Sequence, residues 1–149
     1  MNRRFALTAL AAAALVHALP AGAAAPQVVV FKSPSCGCCA AWVDHLKANG
    51  FVVTVTDVAD TSGPRKLASV PAHLGSCHTA RVAGYAIEGH VPASDIHRLL
   101  KERPDAIGLS VPGMPAGSPG MELPGGDRDP FDVLLVDRLG ATRVWSRYA

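Results

Sequence analysis

Two hydrophobic periods alternate along this chain. Val28-Val29-Val30-Phe31, within Gln27 to Lys32, is a continuous and largely β-branched run of the kind a buried strand needs. Ser33-Pro34-Ser35 breaks it. A helical period then starts near Cys38 and runs through Ala40, Ala41, Trp42, Val43 and Leu46 to Lys47, where Asn49-Gly50 stops it. Phe51 to Val58 returns to strand, alternating in its second half. Thr61-Ser62-Gly63-Pro64 opens a short helix over Arg65 to Ser69, which Val70-Pro71 ends. Two strands, Cys77 to Val82 and Tyr85 to His90, flank an Ala83-Gly84 turn. Pro92-Ala93-Ser94-Asp95 starts a helix with Ile96, Leu99 and Leu100 on one face, and Pro104 closes it. Gly108 to Gly126 is rich in Gly and Pro and has no period, and a last strand pair, Phe131 to Val136 and Ala141 to Trp145, surrounds Asp137-Arg138-Leu139-Gly140.

The order β–α–β, then β–β–α, with cysteines at the first strand-to-helix turn, is the plan of a thioredoxin-like α/β fold. The expected architecture is a central mixed sheet flanked by helices. The C-terminal strand pair extends it, and the Gly/Pro/Met-rich loop drapes over one end. A loop this long inside a small domain is usually functional or disordered. Val70-Pro71 stands where such folds often carry a cis proline, although the general preference is trans.

Residues 1–23 read as a signal peptide: Arg3-Arg4, an apolar core from Phe5 to Leu19, and Ala21-Gly22-Ala23 as the cleavage pattern, with a cut near Ala23 to Ala25. The core is too short for a comfortable membrane span. What remains, 26–149, is one domain with enough chain for a single core. The leader takes two of the fourteen Lys and Arg, so twelve remain to balance twelve Asp and Glu. Such a balance excludes a nucleic-acid or anionic-membrane surface, both of which need clustered positive charge. The expected location is periplasmic.

Composition matters most at Cys36-Gly37-Cys38-Cys39, three thiols within four residues. Thiolates are soft ligands for Cu(I), Zn or iron–sulfur centres, while Cys36 and Cys39 also have the Cys-x-x-Cys spacing of thiol redox chemistry. Structural disulfides fit poorly, because only Cys77 is distant enough to staple the fold. A helix N-terminus favours ionised thiols, and converging thiolates repel unless a cation neutralises them. The third thiol therefore tips the balance toward metal.

Cys77 decides whether a four-sulfur site can form. If it begins the third strand, the topology places it beside Cys36, Cys38 and Cys39. Counting back from the Ala83-Gly84 turn, Val82 pairs with Tyr85, Arg81 with Ala86, and Cys77 falls opposite His90. His90 is thus the best-placed histidine. His78 neighbours Cys77 but points to the other sheet face on a regular strand. His45 lies on the face of Cys38 but about 10 Å along the axis, and His73 and His97 read as surface residues. Met114 and Met121 are thioether donors with no core face around them, and serve as candidate ligands or a gate. Zinc sites usually draw on two separated cysteine pairs. Three crowded thiolates plus one suit bridging, which points to a polynuclear Cu(I) cluster.

These segments together resemble the CopG-type periplasmic copper-resistance family, long catalogued as a domain of unknown function. The matching residues are Lys32-Ser33-Pro34-Ser35-Cys36-Gly37-Cys38-Cys39 with Trp42 and His45, then Ser76-Cys77-His78-Thr79, Gly84-Tyr85 and Glu88-Gly89-His90-Val91-Pro92. Val111-Pro112-Gly113-Met114-Pro115 and Gly117-Ser118-Pro119-Gly120-Met121 complete the set. The resemblance implies a thioredoxin-like fold with a cysteine-bridged multinuclear copper cluster whose sulfurs are Cys36, Cys38, Cys39 and Cys77. It implies a role in copper tolerance through Cu(I)/Cu(II) interconversion, with copper ions and other periplasmic copper-handling proteins as partners. The alternatives are a thiol–disulfide oxidoreductase using Cys36 and Cys39, and a structural or assembly protein that uses its cysteines for stability.

Overall fold

The computed structural model describes residues 24–149, so the expected signal peptide, residues 1–23, lies outside the described residues. Seven strands form one mixed sheet. β1 (Gln27–Lys32), α1 (Gly37–Ala48) and β2 (Val52–Asp57) make the opening unit, with β1 and β2 parallel. Its connecting helix buries Cys39, Trp42, Val43 and Leu46, one stripe at helical spacing, against Val28 and Val30 of the sheet. Asn49 caps the helix, and Gly50 takes the positive φ of 86° that turns the chain back.

β3 (His78–Val82) runs antiparallel to β1 and pairs with β4 (Tyr85–Glu88) through the expected hairpin, Val82 opposite Tyr85. α3 (Ala93–Glu102) carries the chain over to β5 (Gly108–Ser110), parallel to β4. β6 (Phe131–Val136) and β7 (Thr142–Tyr148) extend the sheet as the C-terminal pair. α3 adds Ile96 and Leu99 to the core on the α1 face. The opposite face is covered by α2 (Ser62–Leu67) and a 3-10 turn at Ala72–Leu74, where Val70 and Leu74 pack on Ala86, Ile107 and Val136.

Several boundaries depart from the sequence pattern. α2 starts at Ser62, not Arg65, because a proline in the first turn has no backbone N–H to lose to the helix. Val70-Pro71 is trans, as are all peptide bonds of the described residues. β5 occupies Gly108–Ser110, where the sequence suggests only loop. Three residues are too few to show a period, yet all are buried between β4 and β6. A Cβ at Gly108 would stand 1.8 Å from the Ala86 carbonyl oxygen, so only glycine lets the two strands close. The aperiodic loop therefore begins at Val111.

Candidate metal centre

The sheet register builds the site. β1 ends at Lys32, directly opposite His78, so the turn into α1 and the approach to β3 leave the sheet side by side. Lys32 stiffens that exit by donating from Nζ to the Ser33 carbonyl at 3.1 Å and to Asp57 Oδ1 at 3.2 Å. Cys36 then caps α1, its Sγ accepting the Cys39 N–H at 3.3 Å. Cys38 Sγ lies 3.5 Å from Cys36 Sγ and 4.0 Å from Cys77 Sγ, and the ligand atoms of Cys36, Cys38, Cys39 and Cys77 all fall within 4.8 Å of one another.

Cys36 and Cys39 are joined as a disulfide, whereas Cys38 and Cys77 are free. A structural staple needs partners far apart in sequence. The bridge present spans three residues within one helix end and ties no distant elements together. Burial pushes the Cys77 thiol up to about 11, helped by its neighbour Cys38 and opposed by the Ser76 hydroxyl.

Beyond Thr79 and Glu88 the ladder frays, but the Gly89 N–H still reaches the His78 carbonyl at 3.1 Å. Cys77 and His90 consequently meet, with His90 Nε2 at 3.1 Å from Cys77 Sγ. The other ring nitrogen, Nδ1, lies 2.8 Å from the Pro119 carbonyl oxygen. A carbonyl only accepts, so Nδ1 carries the proton and Nε2 presents its lone pair to the sulfur.

His78 corrects the sequence reading. Cys77 precedes β3 instead of beginning it, so strand alternation does not separate the two side chains. His78 is fully buried, its ring 4.3 Å from that of Trp42 and 5.0 Å from that of His90, and its Nδ1 lies 3.3 Å from Cys77 Sγ. Its Nε2 has no hydrogen-bond partner. Burial, with His90 beside it, lowers the His78 pKa to about 3, so the ring is a neutral donor at ordinary pH. Cys77, His78 and His90 thus form a second donor group that shares its sulfur with the first. The Cys-His dipeptide is the available signal: on a regular strand the two side chains part, and the irregular backbone before β3 brings them together.

The Met loop closes over this corner. Gly120 packs so tightly on α1 that a Cβ there would lie 2.7 Å from the Cys38 carbonyl oxygen and 2.8 Å from the Trp42 nitrogen. The Met121 N–H donates to the Ser118 carbonyl and the Met121 carbonyl accepts the Gly117 N–H, both at 2.8 Å. Met121 is half-buried within this tight turn, while Met114 is exposed. The loop thereby brings Pro119 to His90 and Gly120 to α1. His45 belongs to neither donor group, and its Nε2 accepts the Ala93 N–H at the start of α3.

Comparison with known proteins gives a consistent assignment. Residues 74–121 match the family model described as "Protein of unknown function, DUF411". Among curated proteins, none matches the chain. Two solved structures, "Copper resistance protein copG- Form 1" and "Copper resistance protein copG- Form 2", each share 45% identity with a TM-score of 0.79. The first match covers 83% of this chain and 98% of that one, the second 84% and 99%. At that identity and coverage, with the four cysteines and the Cys-His pair gathered at one corner, the chain belongs to the CopG copper-resistance family.

Proposed function

We propose that this is an exported copper-binding protein that holds a cysteine-bridged multinuclear Cu(I) cluster and contributes to copper resistance by interconverting Cu(I) and Cu(II). The observation that carries the reading is the convergence of four cysteine side chains from two distant parts of the chain within 4.8 Å. The two CopG structures are those of copper resistance proteins, which supports copper over other soft metals. Copper is the cargo. Cys36, Cys38, Cys39 and Cys77 are its thiolate ligands, and Met114 and Met121 lend thioethers from the loop.

The disulfide sets the order of events. A partner dithiol that closes to its own disulfide passes two electrons and two protons to Cys36–Cys39 and leaves two thiols, and each thiol then gives up a proton as it takes Cu(I). Soft thiolates favour Cu(I), whereas imidazole suits Cu(II) as well. His90, with its Nε2 lone pair already facing Cys77, is the group that accommodates the oxidised ion. In this reading the domain, residues 26–149, is thioredoxin-like and works in the periplasm after loss of the signal peptide, alongside other copper-handling proteins.

Anaerobic loading of the reduced protein with Cu(I), followed by metal analysis, tests the proposal. Several equivalents per chain are expected, lost in Cys38→Ala. A single equivalent or none sinks the cluster.

The Cys36–Cys39 disulfide at a helix N-terminus favours a second reading, a thiol–disulfide oxidoreductase with Cys36 or Cys39 as nucleophile. Insulin reduction that survives both Cys38→Ala and Cys77→Ala would support it.

A further inference from the structure

We propose that Arg65 and Glu88 are positioning residues that hold the Cys77 sulfur in the metal centre. The inference rests on the copper reading above only for its consequence. The placement of Cys77 is a matter of geometry.

Glu88 is fully buried at the end of β4. Its Oε1 accepts from Arg65 Nε at 2.8 Å and from the Ser76 N–H at 2.7 Å, and its Oε2 accepts from the Thr79 hydroxyl at 2.6 Å. Arg65, reaching up from α2, donates through Nη2 to the Ser76 carbonyl at 2.7 Å and to the Thr61 hydroxyl at 3.2 Å. One ion pair therefore grips both backbone polar groups of Ser76, the residue whose carbonyl forms the peptide bond to Cys77. The Ser76 hydroxyl is held as well, donating to the Gly113 carbonyl at the start of the Met loop. Gly89 completes the vice. A Cβ there would stand 2.6 Å from the Ser76 side chain, so only glycine lets β4 close on it.

A buried ion pair gains little stability over well-packed apolar side chains. What this pair fixes is direction. The approach to β3 lacks ladder hydrogen bonds of its own before His78. Without the clamp, rotation about the Ser76–Cys77 backbone would carry the sulfur away from Cys38 and His90. Because Glu88 lies two residues before His90, the same carboxylate ties the Cys77 segment to the His90 segment. Outer-shell partners of metal ligands typically change affinity by about 10–100-fold.

The test begins without copper, in a Cys36→Ser/Cys39→Ser background that leaves only Cys38 and Cys77. Adding an azodicarboxamide oxidant closes their disulfide. The two thiols lose two protons and two electrons, which reduce the azo bond to a hydrazine. Arg65→Lys keeps the charge but cannot span Glu88 and the Ser76 carbonyl together, and Glu88→Gln keeps an acceptor but loses the ion pair. Both should slow closure by about ten-fold, short of the roughly hundred-fold cost of misplacing reacting atoms by a full 1 Å. Leu99→Ala, a core truncation in α3, should close at the parent rate although it lowers the melting temperature. Unchanged closure in both clamp variants, or equal slowing in Leu99→Ala, overturns the proposal. Cu(I) affinity is then measured by chelator competition on the same clamp substitutions with all four cysteines present. A fall of about 10–100-fold is expected. Slowed closure with undiminished affinity would uphold the clamp and sink the copper role of Cys77.

Discussion

His90 Nδ1 sits 2.8 Å from the Pro119 carbonyl oxygen, and its Nε2 sits 3.1 Å from Cys77 Sγ. A loop with no secondary structure thus decides which ring nitrogen is free to bind, the usual way an outer hydrogen bond fixes a histidine tautomer. His90→Phe should leave the Cu(I) stoichiometry near that of the parent while removing one of the two nitrogen donors, His78 and His90, from the oxidised form. Electron paramagnetic resonance of the air-oxidised protein checks this through nitrogen hyperfine structure. A spectrum identical to the parent's would assign Cu(II) to other donors.

Thiol counting gives a second check. The disulfide leaves Cys38 and Cys77 as free thiols, so a thiol reagent under denaturing conditions should find two per chain before reduction and four after. Copper uptake should follow the same step, with cluster formation only in reduced protein. Full loading of unreduced protein would contradict it.

His45 should make the fold sensitive to mild acid. Its Nε2 accepts the Ala93 N–H, which only the neutral ring can do. Burial holds its pKa below the ordinary 6.5, with Glu122 opposing. Because the folded pKa is the lower one, the contribution is whole above 6.5 and drains away as pH falls from there toward the folded value. The capping bond is worth about 1 kcal/mol. Urea unfolding of the reduced protein across this window should show stability falling with pH, and His45→Gln should reduce the slope, leaving the shares of His78 and His90, whose pKa values burial also lowers. An unaltered slope in the variant would assign the acid sensitivity elsewhere.

Gly120→Ala should pry the Met loop from α1. The added Cβ meets Cys38 and Trp42 backbone at under 3 Å, and the φ of +88° is itself unfavourable for alanine. A loss of about 1–3 kcal/mol is expected, with faster proteolytic nicking between Val111 and Gly126. Unchanged nicking kinetics would mean that the loop is held by other contacts.

Much of this arrangement is legible in the sequence, for reasons that can be named. Val28-Val29-Val30-Phe31 and the Trp42, Val43, Leu46 stripe carry strong periods, and the Ala83-Gly84 turn fixes a register that extrapolates to the Cys77–His90 contact. Legibility fails where local period gives way to tertiary pairing. β5 is too short to announce itself and is defined by its neighbours on both sides. His78 faces away from Cys77 only on a strand that starts one residue earlier than β3 does. The Arg65–Glu88 pair joins residues twenty-three apart, with nothing in their spacing to link them. The Cys36–Cys39 pairing is legible as a Cys-x-x-Cys spacing, but the same four letters also serve metal chemistry, so the bond itself does not follow from them.

β5 and β6 are antiparallel neighbours, Ser110 opposite Leu134, so the chain leaves the sheet and returns to it at almost the same place. The excursion between them is therefore topologically free. Residues 122–130 lead from the anchored turn back to β6, and lengthening such a connection is cheap, because doubling a loop costs only about 0.6 kcal/mol of closure entropy. Evolution can thus retune what arches over this corner, its reach and its donors, while the scaffold beneath keeps one unchanging geometry.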